Sequence, residues 1–327
     1  MKKLDFVIAW VDGSDENHRL KRQQFQPENV VKGAAEDTRF AHNDEIYFSI
    51  ASILKYVPYC GTIYIITDHQ QPSFVGEFEA QGLCRSGQIQ VVDHQEIFRN
   101  YQQYLPTFKS LSIESMLWNI KGISNHFIYL NDDFFFNQQS DLSDFLIDGQ
   151  MVIYGHWQAT LIKKMKYIFR KFLQQNFGKV AEAKYSTAQM LSADRVGMTR
   201  YYEIHHRPHI LSRDLLSTYF KNNKELLEQQ IQFKFRNIDQ LLPVGLSNHL
   251  AIQSDQAILK DDIDIAYLKD GRDLEKFILA LSNSEIKFGC IQSLDQLESL
   301  AEGRIRAALI QKFTGFLPSQ IQPTTAV

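Results

Sequence analysis

Four short apolar runs near the start of the chain each end on acidic residues. Leu4–Trp10 (LDFVIAW) runs into Val11-Asp12-Gly13-Ser14-Asp15, Thr62–Thr67 (TIYIIT) into Asp68, Gln88–Val92 (QIQVV) into Asp93, and His126–Leu130 (HFIYL) into Asn131-Asp132-Asp133. Runs of this length, rich in β-branched and aromatic residues and bounded by Asp, Gly and Ser, read as strands. An open parallel sheet binds its ligands outside the carboxyl ends of its strands. If these four strands are parallel neighbours, their carboxylates converge on one rim. Such a rim suits a divalent cation, a nucleotide-sugar and a hydroxyl about to lose its proton.

Helical patterns fill the gaps between the runs. Asn43 reads as an N-cap, and Ile46, Ile50, Ile53, Leu54 and Val57 follow at helical spacing up to Pro58. Ile113, Met116, Leu117 and Ile120 form a second stripe before Gly122. Strand and helix alternating through short links imply an α/β fold, mainly parallel sheet with flanking helices. Residues 151–260 read as more helical and mixed. Leu161–Phe177 is the clearest amphipathic helix, with Leu161, Ile162, Met165, Ile168, Phe169, Phe172 and Leu173 on one side and Lys163, Lys164, Lys166, Arg170 and Lys171 on the rest. The ordinary arrangement puts the apolar side on the core and the basic face in water. Docking on an anionic membrane is the alternative. A small αβ tail follows: strand Ile263–Leu268, helix Asp273–Leu281, strand Ile286–Cys290 and helix Leu294–Gln311. These patterns are read as one catalytic domain over 1–317, with an α/β half (1–150), a helical and mixed half (151–317) and a flexible tail at 318–327.

Composition narrows the function. A formal charge of −3 over 327 residues argues against nucleic acid as a partner. Cys60, Cys84 and Cys290 have neither zinc-ligand spacing nor the pattern of a disulfide framework, so a reducing, cytoplasmic setting is expected. The apolar run at the N-terminus is short and interrupted by Asp5, unlike a signal peptide. No segment approaches the ~20 apolar residues of a membrane span.

Five constellations carry candidate chemistry. In Trp10-Val11-Asp12-Gly13-Ser14-Asp15, the aspartates could bind ribose hydroxyls or a metal and the indole could stack on a base. The same residues also make an ordinary turn. Arg39 stands just before the helix that opens at Asn43, Asp44 and Glu45, and a guanidinium beside helix N–H groups makes a phosphate site. Asp132 and Asp133 are hard oxygen ligands suited to Mg²⁺ or Mn²⁺. His205-His206-Arg207-Pro208-His209 with Arg213 reads as a general base among phosphate-binding arginines, or as a zinc site. Phe235-Arg236-Asn237-Ile238-Asp239-Gln240 is weaker, since an Arg with Asp three residues on is often a local helix pair.

Taken together these segments resemble the Stealth family of sugar-phosphate transferases. The resemblance is carried by DFVIAWVDGSD (Asp5–Asp15), RFAHNDEIYFSIASILKYVPYCGTIYIITDHQQPSF (Arg39–Phe74), QIQVVDHQEIF with LPTFKSLSIES and HFIYLNDDFFF (within Gln88–Phe136), HHRPHILSR (His205–Arg213) and FRNIDQ (Phe235–Gln240). It covers roughly the first 140 residues well and the 200–250 region more thinly. Asp12 stands where the family motif often has Asn. The resemblance implies a nucleotide-sugar-transferase-like fold and transfer of a hexose-1-phosphate, usually an N-acetylhexosamine phosphate, from a UDP-sugar to a glycan hydroxyl. UMP would be released and capsular or extracellular polysaccharide built. Trp10, Asp12, Gly13 and Asp15 would lie on the nucleotide side, with Arg39, Asn43 and Asp44 in the same pocket. Asp132 and Asp133 would hold metal or sugar, His206 or His209 would be the base, and Arg236 the phosphate clamp. The acceptor would be an oligosaccharide or lipid-linked glycan. A conventional glycosyltransferase releasing UDP and a non-catalytic glycan- or nucleotide-binding protein are the competing expectations.

Overall fold

The structure is a computed structural model that describes residues 2–26, 44–178, 183–292 and 294–321. Its central sheet contains the four expected strands: β1 (Leu4–Ala9), β2 (Cys60–Thr67), β3 (Ile89–Asp93) and β4 (His126–Asn131). β1 lies between β2 and β4, and β3 flanks β2, all in parallel. Ala9 is opposite both Ile66 and Asn131, and Thr67 is opposite Asp93. The strands therefore end level, and their acidic extensions share one rim. A fifth strand, His209–Ser212, adds antiparallel to β4 at the edge. The second half of the chain thus completes the sheet of the first.

The strands are nearly continuous apolar runs because both faces are covered. Phe6, Val7, Ile8, Ile63, Ile65, Ile66, Phe127, Ile128 and Leu130 are fully enclosed. Asp5 interrupts β1 without penalty, since its carboxylate accepts from the backbone N–H of Thr62 (2.9 Å) and of Ser124 (2.8 Å). Helix α1 (Glu16–Phe25) is capped by Asp15, and α2 (Glu45–Tyr56) buries Ile46, Ile50 and Ile53. Asn43, the expected cap of α2, lies outside the described residues.

The stripe at Ile113, Met116, Leu117 and Ile120 is buried or half-buried, but the chain there is not one helix. A five-residue helix at Ser110–Glu114 gives way to a 3₁₀ turn at Leu117–Asn119. The Ser115 hydroxyl donates to the Leu111 carbonyl (2.7 Å), and the Trp118 indole donates to the Ser115 carbonyl (2.8 Å). Side chains thus take carbonyls that a longer helix would use. The expected helix at Leu294–Gln311 is likewise split, into a 3₁₀ turn at Leu294–Gln296 and a helix at Ser299–Lys312.

A three-stranded sheet supports the acidic turn after β4. Its strands are Ala266–Leu268, Phe288–Ile291 and β5 (Phe134–Phe136). Cys290 lies opposite Phe134, and the Ile291 N–H donates to the Asp133 carbonyl (2.8 Å). Gly289 sits directly on the Phe135 ring, where a Cβ would fall 2.1 Å from the nearest ring carbon. Gly289→Ala is expected to cost about 1–3 kcal/mol through overpacking. A measured melting temperature equal to that of the parent would contradict this packing.

Helix Thr160–Phe177 forms as expected, but its orientation is reversed. Three of its four lysines face the protein: Lys163 reaches Tyr201 and Glu203, Lys164 reaches Asp194, and Lys171 reaches Asp239. The apolar side faces water. The ordinary arrangement fails here because acidic residues of the neighbouring elements, and not an apolar groove, receive the helix.

Candidate active site

A cleft of about 640 Å³ opens at the carboxyl ends of the parallel strands, within the range of small-molecule sites. Trp10, Asp132, Asp133, His206, His209 and Arg236 all line it. Residues separated by more than two hundred positions in sequence meet because β1 and β4 are adjacent and His209–Ser212 pairs with β4.

Other expected residues stand elsewhere. Asp12 closes its own turn, accepting from the Ser14 N–H (2.8 Å) and hydroxyl (2.6 Å) while Gln70 clasps its backbone. Asp15 accepts from the His18 N–H (2.7 Å) as the cap of α1. Neither these nor Gly13 is among the residues lining the cleft. Asp44 has a left-handed φ of 66° and pairs with Arg306 at 2.7 Å. Arg39 lies outside the described residues, as does Asn43. Of the other strand-end acids, Asp68 lines the cleft and pairs with Lys21 (2.8 Å). Asp93 instead caps the next helical turn and binds His69 through both backbone N–H and ring.

Asp132 and Asp133 sit deep in the cleft. Burial, and then the neighbouring Asp133 charge, push the Asp132 carboxyl up to about 8. Burial likewise raises Asp133 to about 7, against a hydrogen bond from the Cys290 thiol (3.5 Å) that favours its ionised form. The other Asp133 oxygen, Oδ1, is buried with no hydrogen-bond partner. Two crowded carboxyls with a spare buried oxygen fit a hard divalent cation, which would offset their repulsion and fill the missing contact.

The histidine segment divides. His205 turns away to Asp262 (3.4 Å), in a separate group with His156. His206 enters the cleft with its imidazole stacked between Tyr185 (ring centroids 5.0 Å, 24°) and Tyr267 (6.2 Å, 13°). Burial first, and the His205 charge second, lower its pKa, so the ring is held neutral. His209 is buried at the start of its strand, and burial with the nearby Arg207 charge holds it neutral still more firmly. Its Nε2 lacks a partner. Arg207 itself is buried, donating to the carbonyls of Pro208 and Tyr154 at 3.2 Å each.

Three cleft residues escaped sequence reasoning: Glu114, Lys109 and Tyr185. Glu114 is buried, and its carboxyl is pushed up to about 7 by desolvation, against the pull of the Lys109 charge. No sequence signal singles it out, since Glu114 lies off the stripe formed by Ile113, Met116, Leu117 and Ile120.

Residues 39–153 match the model of Stealth protein CR2, conserved region 2. Capsular polysaccharide phosphotransferase cps1A of Actinobacillus pleuropneumoniae is 39% identical over 145 residues, 43% of this chain and 38% of that relative. LcbA of Neisseria meningitidis, also a capsular polysaccharide phosphotransferase, is 40% identical over 137 residues, 41% of this chain and 35% of its own. The match therefore spans well under half the length of these two relatives. A longer match joins the receptor polysaccharide phosphotransferase WefC of Streptococcus gordonii, 27% identical over 72% of this chain and 74% of that one. Among solved structures, the apo WbbM bifunctional glycosyltransferase superposes with a TM-score of 0.47 at 9% identity, covering 98% of this chain and 51% of the other. The matched conserved region 2 of Stealth proteins runs through β2, β3 and β4 to the acidic turn of the cleft.

Proposed function

We propose that this chain is a phosphotransferase that moves a sugar-1-phosphate from a UDP-sugar to a glycan hydroxyl, releasing UMP and building phosphodiester links in a capsular or extracellular polysaccharide. One observation carries the reading: a carboxylate pair, a partly buried histidine and an arginine meet in one cleft at the carboxyl ends of parallel strands. The names of the relatives support the same reaction class. The donor sugar is proposed to be an N-acetylhexosamine, from the family resemblance.

In this reading the acceptor hydroxyl attacks the sugar-bearing phosphorus. His206 takes the hydroxyl proton as the new P–O bond forms. The bond from that phosphorus to the oxygen bridging the two phosphates breaks, and UMP leaves with the bridging oxygen. Arg236 holds phosphoryl oxygens, supplying the positioning and charge neutralisation on which phosphoryl transfer depends. Trp10, at the end of β1, provides an aromatic face on the nucleotide side. A Mg²⁺ or Mn²⁺ ion held by Asp132 and Asp133 would neutralise charge on the diphosphate. The Tyr185 and Tyr267 rings fix the plane of the base, and Glu114 stands by as a second buried acid.

The test is incubation with a panel of UDP-sugars and a glycan acceptor, followed by analysis of the nucleotide released. UMP with at least one donor is expected. UDP in its place would move the chain to the conventional glycosyltransferases.

A further inference from the structure

We propose that the outward face of helix Thr160–Phe177 docks on an anionic lipid surface. This inference stands on the helix alone and does not depend on the reaction assigned to the cleft. Leu161, Ile162, Met165, Ile168, Phe169 and Phe172 are between 52% and 67% exposed. Isolated exposed apolar residues are ordinary, but a contiguous patch of this kind marks an interaction site.

The orientation is built in. Lys171 and Tyr167 both bind Asp239 (2.9 and 2.7 Å), Lys163 pairs with Glu203 (3.5 Å), and Lys164 pairs with Asp194. Rolling the helix to bury its apolar side would break all of these contacts. The 18-residue helix is about 27 Å long, enough to lie along a surface.

Shape and charge select the occupant. At 100° per residue these six residues span an apolar arc about 120° wide. A second copy of the helix would use a narrower seam of two positions in seven, whereas a broad convex arc meets a plane. The helix has no acidic residue. Lys166 and Arg170 both lie to one side of the arc, about 40° and 80° beyond Ile162 at 100° per residue, and neither joins an ion pair among the described residues. Long basic side chains beside a partly sunk apolar face reach headgroup phosphates while their stems stay in the apolar layer. No helix among the described residues is long and apolar enough to cross a membrane, so the contact is peripheral.

The test uses the full chain with two vesicle types, pure phosphatidylcholine and phosphatidylcholine with one quarter phosphatidylglycerol. The protein is expected to co-sediment with the anionic vesicles, less so as salt rises. Phe169→Gln with Phe172→Gln should weaken partition at least tenfold, since each removes a large apolar area that docking would take out of water. Lys166→Gln with Arg170→Gln should weaken it about 25-fold on anionic vesicles, at roughly fivefold per charge. Both double variants should keep the parent's melting temperature, and any turnover on a soluble acceptor should survive. Phe169→Trp should show a blue-shifted emission when vesicles are added. Parent protein remaining in the supernatant overturns the proposal. So does a dimer in light scattering that the phenylalanine variant splits while vesicle binding is absent.

Discussion

Changing His206 to glutamine is expected to lower turnover about 10²- to 10⁴-fold, the usual contribution of a general base, while donor affinity is kept. The amide preserves size and some stacking between Tyr185 and Tyr267 but cannot accept the hydroxyl proton. The pH profile gives a second readout. A base must be unprotonated to act, and burial lowers His206 from the ordinary histidine value of 6.5. With metal saturating, activity should hold down through pH 6.5 and fall only below it. In H206Q that acid limb should vanish from the residual rate. His209→Gln is the control. If H209Q loses the limb and H206Q keeps it, the unpartnered Nε2 of His209 is the base.

Asp132→Asn and Asp133→Asn are each expected to abolish turnover, and chelator should do the same to the parent, with Mg²⁺ or Mn²⁺ restoring it. The same changes should stabilise the metal-free protein. Asp132 is pushed up to about 8 and Asp133 to about 7, whereas an unfolded aspartate titrates near 3.9. Between about pH 4 and pH 8 the folded state therefore binds more protons than the unfolded state. Linkage then makes metal-free stability fall as pH rises through that window. D132N removes one such group. Its gain should be on the order of 1 kcal/mol or more at pH 8, which is a rise in melting temperature of about 2–4 °C per kcal/mol for a domain of moderate size, and it should shrink toward pH 4. Full activity in chelator would leave Asp132 and Asp133 as hydrogen-bond partners of the sugar.

Much of this was legible before the structure. Four apolar runs ending on acids placed the rim, because a buried parallel strand has few alternatives. The pairing of His206 with the acidic turn was visible only through the family resemblance, since His209–Ser212 joins β4 across a gap of almost eighty residues. Asp12, Asp15 and Asp93 show the limit of residue type: the carboxylate that could touch a ligand is equally suited to close an Asx turn or cap a helix, and here each does so. Glu114 shows another, for a lone acid in a short helical turn looks solvated until the packing around it is known. Helix Thr160–Phe177 shows a third. Periodicity reveals that a helix has two faces, but only Asp194, Glu203 and Asp239, from other elements, decide which one turns inward.

The central claim is that phosphorus, and not only sugar, is transferred. A UDP-N-acetylhexosamine carrying ³²P at the sugar-bearing phosphorus tests it directly. With acceptor and Mg²⁺ or Mn²⁺, the label should enter the glycan in acid-labile phosphodiester, in step with unlabelled UMP. Label remaining in UDP while sugar enters the glycan would contradict the account.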